Sequence, residues 1–295
     1  MNDVRSLRGN TIVVTGSNTG IGFATAKLLA SKGAAIVMAC RNQEKGERAR
    51  AHIKAELPHA DLRVVRLDLS SLASVRECVA EVNTELDKID ALINNAGLMM
   101  PPLQRTADGF EMQFGTNVLG HFAFTGLVLP LLLRTPNARV VWLSSVAHWN
   151  GRIDFDNLNA ERGYSSWRAY AQSKLGDLML AYEMQRRLTS AGASLQSLAA
   201  HPGGTQSDLS RHNPFLRVLN VLSQPFTQST DAGAMPSIRA AVDPSAKGGE
   251  FYGPGGMTTM TGPATRQRSS RRSHDAAVAM KLWQACEGLT GVRWL

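Results

Sequence analysis

Apolar runs of strand length alternate with longer segments of helical period, and this alternation constrains the fold more than any other feature of the sequence. The strand-length runs are Thr11–Thr15, Ala35–Ala39, Leu62–Leu67, Ala91–Asn94, Arg139–Ser144 and Leu195–Ala200. The helical segments are Gly20–Ser31, Gln43–Glu56, Ser71–Leu86, Asp108–Leu133, Ser166–Ser190 and Thr230–Val242. Because the strands are apolar on both faces, the pattern predicts a single α/β domain over residues 1–295, with a doubly wound parallel sheet.

Two connections are longer than the rest, and both are placed to overhang a site at one edge of the sheet. They cover about residues 146–167 and 205–229. A short strand near Glu250–Tyr252 is expected to close the sheet. The segment Pro254–Ser273, rich in Gly, Ser, Thr and Arg, is expected to be a partly mobile basic tail before an amphipathic segment, His274–Leu289.

The composition is that of an ordinary globular protein with a basic balance. Of its 295 residues, 43% are hydrophobic and 19% are charged, which excludes a disordered or collagen-like chain. The formal net charge is +8, and four of the arginines, Arg266, Arg268, Arg271 and Arg272, form a cluster. This cluster has no interleaved aromatic residues and matches no nucleic-acid-binding motif. We therefore expect no nucleic-acid partner, but a solvated face or a weak contact with an anionic membrane surface.

The cysteines and the apolar segments bear on the cellular compartment. Cys40, Cys78 and Cys286 are too far apart to indicate a disulfide framework or a metal site. The N-terminal residues lack the apolar stretch of a secretory signal. The longest apolar run, Phe122–Leu133, is shorter than the ~20 residues that a membrane-spanning helix requires. We expect a cytoplasmic protein with no bound metal and no transmembrane segment, in which this run is a buried helix.

A glycine-rich turn follows the first predicted strand and opens the first predicted helix. Its glycines are Gly16, Gly20 and Gly22. Backbone N–H groups and the helix dipole can hold a pyrophosphate at such a turn, so its position favours a dinucleotide-binding (Rossmann) fold over a tight turn that merely joins strand to helix. The same spacing recurs within residues 249–255, but Pro254 interrupts it and no amphipathic helix follows. We interpret the second copy as a loop.

Arg41 follows the second predicted strand, where dinucleotide-binding folds often distinguish between the two nicotinamide cofactors. An acid at this point binds the ribose hydroxyls of NAD, whereas a guanidinium can form a charge-assisted pair with the 2′-phosphate of NADP. The residue therefore favours NADP(H) over NAD. The alternative is an exposed surface arginine paired with Glu44.

Tyr170 and Lys174 lie at i and i+4, on one face of a predicted helix. A close ammonium stabilises a phenolate, so this pair can donate or accept a proton near neutral pH. Ser144 and Ser145 end the fifth predicted strand, at the edge of the sheet where open α/β proteins bind ligands. The alternatives are a partly buried tyrosine beside a solvated lysine, and a strand-end turn whose hydroxyls bond to the backbone.

Taken together, these motifs resemble those of the short-chain dehydrogenase/reductase family. The likeness is carried by Thr15–Gly22, Asp68-Leu69, Asn94–Gly97, Asn117, Ser144-Ser145, Tyr170, Lys174 and His201–Gly203. Within the family, the chain is similar to the branch of retinol dehydrogenases, WW-domain oxidoreductases and light-dependent protochlorophyllide reductases. That finer likeness is carried by Ala39–Asn42, Ser71–Arg76, Asn117–Phe122, Leu282-Trp283 and Leu289–Val292.

The resemblance implies a role for each motif. Tyr170 would be the general acid/base, Lys174 would hold the nicotinamide ribose, Ser145 rather than Ser144 would bind the substrate oxygen, and Asn117 would hold a water of the proton relay. The implied cofactor-binding residues are Gly16, Ser17, Asn18, Gly20, Ile21, Gly22, Arg41, Asp68, Leu69, Asn95, Ala96, Gly97, Tyr170, Lys174, Pro202, Gly203 and Thr205. His121 is expected to pack or cap within its helix rather than to act in the reaction.

The resulting hypothesis is an NADP(H)-dependent oxidoreductase that transfers hydride between nicotinamide C4 and a small carbonyl or alcohol substrate. A set of apolar and aromatic residues indicates a lipophilic substrate, unless they merely cover the sheet edge. They are His148, Trp149, Trp167, Phe215, Leu216, Val218, Leu219 and Phe226. The resemblance also makes a homo-oligomer plausible, formed through the helices Asp108–Leu133 and Ser166–Ser190.

Two alternative functions stay open at this point. The chain could be a light-dependent protochlorophyllide-type double-bond reductase, because the likeness extends to that branch. It could also be a non-catalytic protein that senses a dinucleotide or binds nucleic acid, as its basic charge suggests. The Tyr170 and Lys174 pair argues against the second alternative, because a protein that only senses a nucleotide has no need of an activated phenol.

Overall fold

The predicted strands pair into one sheet in a computed structural model that describes residues 6–205 and 227–295. The strands are β1 (Thr11–Thr15), β2 (Ala35–Cys40), β3 (Leu62–Arg66), β4 (Ala91–Asn94), β5 (Arg139–Leu143), β6 (Gln196–Ala200), β7 (Phe251–Pro254) and β8 (Ala264–Arg266). Their order is β3-β2-β1-β4-β5-β6-β7-β8, with β1 to β7 parallel and β8 antiparallel to β7. The chain changes direction across the sheet between β1 and β4. The predicted doubly wound α/β domain is confirmed.

Helices cover both faces of this sheet. They are α1 (Gly20–Ala30), α2 (Gln43–Glu56), α3 (Leu72–Glu85), α4 (His121–Leu133), α5 (Ser166–Ser190), α6 (Thr230–Val242) and α7 (Ala276–Thr290). A π-helical turn, Phe114–Gly120, leads into α4, and short 3₁₀ helices cover Val146–Asn150 and Arg271–His274. Asn42, Ser71, Ser165, Ser229 and Asp275 each cap the first turn of a helix with a side-chain oxygen.

Two apolar cores lie on opposite faces of the sheet, which explains why the strands are apolar at successive positions. Val13 and Leu92 belong to the core beneath α3, α4, α5 and α7. Val14 and Ile93, the next residues along the same strands, belong to the core beneath α1, α2 and α6. The rigid sheet between these cores fixes the positions at which the strands end, and therefore the site that follows them.

The longest apolar helix lies inside the domain. Phe114–Leu133 is, within the ranges that the structure describes, the one helix long and apolar enough to cross a membrane, with a mean hydropathy of 1.6. However, 72% of its apolar window is buried within the protein, and Phe122 and Phe124 are core residues. A core helix of this kind passes the same test of length and composition. The prediction that Phe122–Leu133 is a buried helix is confirmed.

Two boundaries differ from the prediction. The helix predicted to begin at Asp108 begins only after Glu111, because the Asp108 carboxylate accepts a hydrogen bond from the Leu72 N–H (2.9 Å) and Glu111 pairs in a β-bridge with Arg105. The basic segment Pro254–Ser273, whose partial mobility stays a prediction, also contains regular structure. It contains β8 and reaches the 3₁₀ helix Arg271–His274, and Gly253 of the second glycine copy lies in β7.

Two of the four clustered arginines make bonds within the protein. Arg272 donates to the carbonyl of Gly151 (3.0 Å), and Arg266 pairs with Glu250 at 3.3 Å. Arg268 and Arg271 are exposed. The cluster is therefore partly structural, and it anchors the segment against the rest of the fold.

Candidate active site

Most of the predicted site residues lie at the carboxyl edge of the sheet, because they follow the ends of parallel strands; Asn117, Tyr170 and Lys174 lie on helices. The glycine-rich turn follows β1, Arg41 follows β2, Asp68 and Leu69 follow β3, Asn95, Ala96 and Gly97 follow β4, Ser145 follows β5, and Pro202, Gly203 and Thr205 follow β6. This edge, beside the change of direction between β1 and β4, is where open α/β sheets bind ligands. The expected pocket residues Phe215, Leu216, Val218, Leu219 and Phe226, in the connection 205–229, lie outside the described residues.

The glycine-rich turn packs so closely that side chains would not fit. Gly16 has a positive φ of +68°, and a Cβ atom there would lie 2.9 Å from the Cα of Ala96. A Cβ atom on Gly22 would collide with the side chain of Asn95 and the carbonyl of Gly16. The first turn of α1 contains no acidic residue, and the N-cap residue Thr19 makes no side-chain capping hydrogen bond to it. Its N–H groups are therefore suited to hold the pyrophosphate of a dinucleotide.

Thr15 joins this turn to the segment after β4. Its hydroxyl oxygen accepts hydrogen bonds from the N–H groups of Asn95 and Ala96, both at 2.9 Å. The side chain of Asn95 in turn donates to the carbonyl of Thr15 (2.7 Å). Thr15 was not among the predicted site residues, although its place next to Gly16 at the end of β1 could have indicated this positioning role.

His121 continues the same network into α4. Its Nε2 lies 2.9 Å from the Thr15 hydroxyl, and its Nδ1 donates to the carbonyl of Asn117 at 2.9 Å. Burial lowers the pKa of His121 to about 3, so the ring is neutral at physiological pH. The expectation that His121 packs and caps within its helix agrees with these contacts.

The side chains of some predicted cofactor residues are buried or hydrogen-bonded within the protein. Ser17 donates its hydroxyl to the carbonyl of Val14 (3.0 Å), and Ile21 and Leu69 are buried. One carboxylate oxygen of Asp68 accepts from both the N–H and the hydroxyl of Ser70 (3.0 and 2.6 Å). Ser17 is therefore restricted to backbone contacts with a ligand, whereas Asn18 is partly exposed at the turn.

A cavity of about 450 Å³ opens beside the turn, between α1 and α2. It is lined by Asn18, Thr19, Gly20, Phe23, Lys45, Arg48, Ala49 and His52. Glu44 pairs with Arg48 (2.6 Å) and not with Arg41, so the surface arginine of the alternative interpretation does not have Glu44 as its partner. Arg41 and Lys45 are exposed, and no ion pair of either side chain occurs within residues 6–205 and 227–295.

Lys45 is a candidate cofactor residue that the sequence reasoning missed. It lies four residues after Arg41, in the first turn of α2, and this spacing was the signal that could have identified it. The cavity that it lines is on the nucleotide side and includes neither Ser145 nor Tyr170. The positive charge of Lys45 at this cavity is suited to bind a phosphate group.

Tyr170 and Lys174 are both buried on α5. The ammonium of Lys174 donates to the carbonyl of Leu143 (2.8 Å) and to the carboxylate of Asp177 (2.9 Å). Burial works against its charged form, but the charges of Asp177 and Tyr170 together hold the pKa of Lys174 above its ordinary value. The lysine side chain is only 7% exposed, so the alternative of a solvated lysine is wrong.

The two serines after β5 have different surroundings. Ser144 is buried and donates its hydroxyl to the carbonyl of Lys174 (2.6 Å), so it ties β5 to α5. Ser145 is half-buried, and its hydroxyl oxygen accepts the N–H of Ala147 (3.2 Å) as the cap of the 3₁₀ helix Val146–Asn150. That bond leaves the hydroxyl proton of Ser145 for a substrate oxygen. The difference supports Ser145 over Ser144 as the substrate-binding serine.

His148 holds the backbone of Ser145 in place instead of lining a pocket. Its Nδ1 donates to the carbonyl of Ser145 (2.6 Å), and its Nε2 accepts the N–H of Ser270 (3.1 Å). The two bonds fix one neutral tautomer. By contrast, Trp149 and Trp167 are 53% and 43% exposed, and the ring of Trp167 lies 6.3 Å from that of Tyr170.

The side chain of Asn117 forms hydrogen bonds to two parts of the site. Its side-chain oxygen accepts the N–H of Leu98 (3.0 Å), and its side-chain nitrogen donates to the carbonyl of Leu98 (3.1 Å) and to the hydroxyl of Ser173 (3.0 Å). These bonds join the segment after β4 to α5. The role of Asn117 in holding a relay water stays a prediction.

The segment after β6 is held against the strand pair β7–β8 and its connecting loop. Gly203 has a positive φ of +69°, and a Cβ atom there would collide with the carbonyl of Met260. Thr205 forms an isolated bridge with Gln228, whose side chain donates to the carbonyl of Pro202 (2.9 Å). These three predicted residues therefore have a fixed backbone at the site edge.

Comparisons with known proteins agree with this geometry. Residues 10–214 match the short chain dehydrogenase family. The chain is 38% identical to mouse (Mus musculus) retinol dehydrogenase 12 over 288 residues, which cover 97% of this chain and 88% of that protein. It is 43% identical to human (Homo sapiens) retinol dehydrogenase 11 over 236 residues, which cover 80% and 74% of the two chains.

Solved structures show the same similarity. A crystal structure of a protein from Mycobacterium paratuberculosis is 40% identical, has a TM-score of 0.84 and covers 100% of this chain and 98% of its own. Pseudomonas aeruginosa RhlG, in an active-site complex with NADP, is 25% identical with a TM-score of 0.67, covering 83% of this chain and 94% of its own.

Proposed function

Because this chain belongs to the short-chain dehydrogenase family, we propose that it is an NADP(H)-dependent enzyme that interconverts an alcohol and a carbonyl group on a lipophilic small molecule. The observation that carries the proposal is the buried pair of Tyr170 and Lys174, whose helix is tied to β5 beside Ser145. Its likeness to retinol dehydrogenases, whose named substrate is a lipophilic alcohol, supports the substrate class.

The proposed chemistry assigns one task to each side chain. When bound, the nicotinamide supplies or accepts the hydride at C4. In the reducing direction, the Tyr170 hydroxyl gives its proton to the carbonyl oxygen of the substrate, and Ser145 donates a hydrogen bond to the same oxygen. Lys174 stabilises the phenolate that remains, because its ammonium is held close by Leu143 and Asp177. In the oxidising direction, the phenolate takes the proton from the alcohol.

The proposed preference for NADP(H) rests on the positive end of the nucleotide cavity. Lys45 lines this cavity with Asn18 and Gly20, and Arg41 is exposed just after β2, whose Ala39 accepts a hydrogen bond from Gly16 of the turn. Both cations would bind the 2′-phosphate that distinguishes NADP from NAD. The NADP complex of Pseudomonas aeruginosa RhlG supports this assignment. Gly16 and Gly22 would bring the turn close to the pyrophosphate, as their missing side chains allow.

The decisive experiment replaces the phenol with a ring of the same shape. Tyr170→Phe should lower turnover of a lipophilic aldehyde by about 10²–10⁴-fold, because the variant lacks the proton. Its affinity for NADPH should stay unchanged, as measured by calorimetric titration. Tyr182→Phe is the matched control, since Tyr182 lies on the same helix and its hydroxyl contacts only the Ser269 hydroxyl (2.9 Å) among the described residues. Full turnover in Tyr170→Phe would refute the mechanism.

An assay in darkness tests the enzymatic alternative. The likeness to retinol dehydrogenases over most of the chain supports a thermal alcohol–carbonyl reaction instead of a light-dependent double-bond reduction. Turnover of an aldehyde with NADPH should therefore be equal in darkness and in light.

We also propose that the enzyme acts in the cytoplasm, where its three buried, free cysteines stay reduced. Cell fractionation tests this location.

A further inference from the structure

Asp177 is a buried acid beside Lys174, and the proposed chemistry uses its hydrogen bond to the ammonium but not yet its negative charge. It lies one turn after Lys174 on α5, with its side chain 3% exposed, and one carboxylate oxygen is 2.9 Å from the Lys174 ammonium. Its other oxygen, Oδ1, is buried without a hydrogen-bond partner among the described residues. A buried ion pair of this kind adds little stability compared with apolar residues of the same size, so stability alone does not account for it.

The contacts of Lys174 show what the acid does. An ammonium group has three N–H donors, and the carbonyl of Leu143 and the carboxylate of Asp177 take two of them. A Cβ atom on Gly97 would lie 3.6 Å from the Lys174 nitrogen, so the ammonium lies beside the segment predicted to follow the cofactor. Asp177 therefore fixes the ammonium and leaves one donor for the side on which the reaction occurs.

The titratable groups near the Asp177–Lys174 pair come from three helices, and those of α4 and α7 named below are neutral. On α5 itself, Lys174 and Tyr170 lie on the same face. His121 of α4 is neutral, because burial lowers its pKa to about 3. Cys286 of α7 is a neutral thiol, because burial and then the charges of Asp177 and Glu287 raise its pKa. Burial raises the pKa of Asp177 to about 6 against the opposing effect of Lys174, so the carboxylate is ionised at neutral pH.

We propose that Asp177 is a positioning residue for the reaction, which holds the Lys174 ammonium and whose negative charge offsets part of the attraction between that ammonium and the Tyr170 phenolate. This inference rests on the proposed function of Tyr170 and Lys174. In this arrangement, Asp177 sets the pH at which the phenol exchanges its proton, while Lys174 remains charged. The acid itself touches neither substrate nor cofactor.

The test is the pH dependence of Asp177→Asn, which keeps an oxygen acceptor for Lys174 and removes the negative charge. The midpoint of the rate profile for alcohol oxidation should move about one pH unit lower, because the phenolate is then stabilised by an unopposed ammonium. A profile identical to that of the parent enzyme would refute the proposal. A shift to higher pH would also refute it, because the carboxylate would then act mainly by keeping Lys174 charged.

Two further variants, a second neutral replacement of Asp177 and a matched control, accompany this test. Asp177→Ser also removes the charge and should give the same downward shift if the asparagine variant does not fold. Glu183→Gln is the matched control, because Glu183 is an acid on the same helix with a side chain 9% exposed, but it pairs with Arg186 and Arg187. The control should leave the pH profile unchanged.

A direct titration separates this proposal from the proposed function. The near-ultraviolet absorbance of tyrosinate, measured as the difference between the parent enzyme and Tyr170→Phe, reports ionisation of Tyr170 without any turnover. If every alcohol and aldehyde is inert but Asp177→Asn lowers the midpoint of this titration, the proposed function fails, while the effect of the Asp177 charge on Tyr170 stands. If turnover is normal and the midpoint is unmoved, the role of Asp177 fails and the proposed function stands.

Discussion

In the proposed function, single side chains at the edge of the sheet would distinguish NADP from NAD. Arg41 and Lys45 are both exposed next to the glycine-rich turn, whereas neighbouring basic residues of α2 are already paired with acids. A 2′-phosphate would therefore meet two cations that have no competing ion pair within the described chain. The sequence identified Arg41 by its position after β2, but Lys45 became a candidate only when the cavity between α1 and α2 was known.

At the scale of single residues, we predict a preference for NADPH over NADH that two substitutions weaken. NADPH should bind at least ten-fold more tightly than NADH, a difference of about 1.4 kcal/mol, and Arg41→Ala should abolish most of it. Lys45→Ala should reduce it in the same direction, and added salt should weaken it, because the charges are exposed. Calorimetric titration with both nucleotides measures the effect. Arg50→Ala is the control, since Arg50 pairs with Glu47 (2.7 Å) on the same helix and does not line the cavity.

Among the elements, the 3₁₀ helix that carries Ser145 is held in place by His148. The neutral ring links the carbonyl of Ser145 to the N–H of Ser270, two positions that are far apart in sequence. Burial lowers the pKa of His148, and the carbonyl bond opposes this only in part. A second proton would remove the acceptor for Ser270, so the neutral form is the one that fits.

We predict that His148→Phe destabilises the protein by about 1–3 kcal/mol, because it leaves the buried N–H of Ser270 without its acceptor and removes the ring donor from the Ser145 carbonyl, which keeps only the backbone N–H of residue 148. The pKa of His148 is lowered on folding, so the histidine stabilises the fold fully above its ordinary value near 6.5 and progressively less as the pH falls below it. The variant should therefore lose less stability on acidification than the parent. Urea unfolding at neutral and acidic pH measures both effects. His59→Phe, at an exposed position, should change stability by less than about 0.5 kcal/mol.

Most elements were predictable because the signals for them are local. Helices α2, α5 and α6 have the predicted bounds, and side chains such as Asn42 and Ser165 mark their starts with caps. The start of the helix before α4 was not predictable, because Asp108 is occupied by a hydrogen bond to Leu72, 36 residues away. Strand β8 has three residues, too few to show a period.

The candidate site was likewise predictable where its signals are local motifs, and not where they depend on partners from distant parts of the chain. The family resemblance is confirmed, and it rested on motifs with fixed spacing, such as the glycine-rich turn and the Tyr170–Lys174 pair. The roles of Asp177 and His148 depend on burial and on partners from other elements, which no spacing records. A carboxylate or an imidazole in a sequence does not show whether its surroundings are water or a core.

Across the whole molecule, α7 covers the helices through which an oligomer was expected to form. Trp283 and Trp294 both pack against Phe122 of α4, with ring centroids 5.0 Å away in each case. A Cβ atom on Gly126 would collide with the ring of Trp294, so the glycine provides the space that this ring fills. The face of α4 is thus partly occupied by aromatic residues of the same chain.

We predict that Trp294→Ala lowers the free energy of unfolding by about 3–5 kcal/mol, because it opens a cavity against Phe122 and Trp283. The uncovered apolar face should also promote self-association. Urea unfolding and analytical ultracentrifugation measure the two effects. Trp149→Ala is the control, because Trp149 is 53% exposed and should contribute less than about 0.5 kcal/mol. A loss below about 1 kcal/mol in Trp294→Ala would show that this packing is dispensable.

The pairing of β1 with both β2 and β4 has a consequence for how the protein folds. The hydroxyl of Thr15 meets the backbone of Asn95 across 80 residues of chain, and the ring of His121 across 106. Such distant pairings close slowly, because the loop entropy is lost before the contacts form. We therefore expect the nucleotide turn to reach its binding shape late in folding. A dinucleotide that binds only this finished shape stabilises the end of the folding reaction, and it gives no assistance to the early steps.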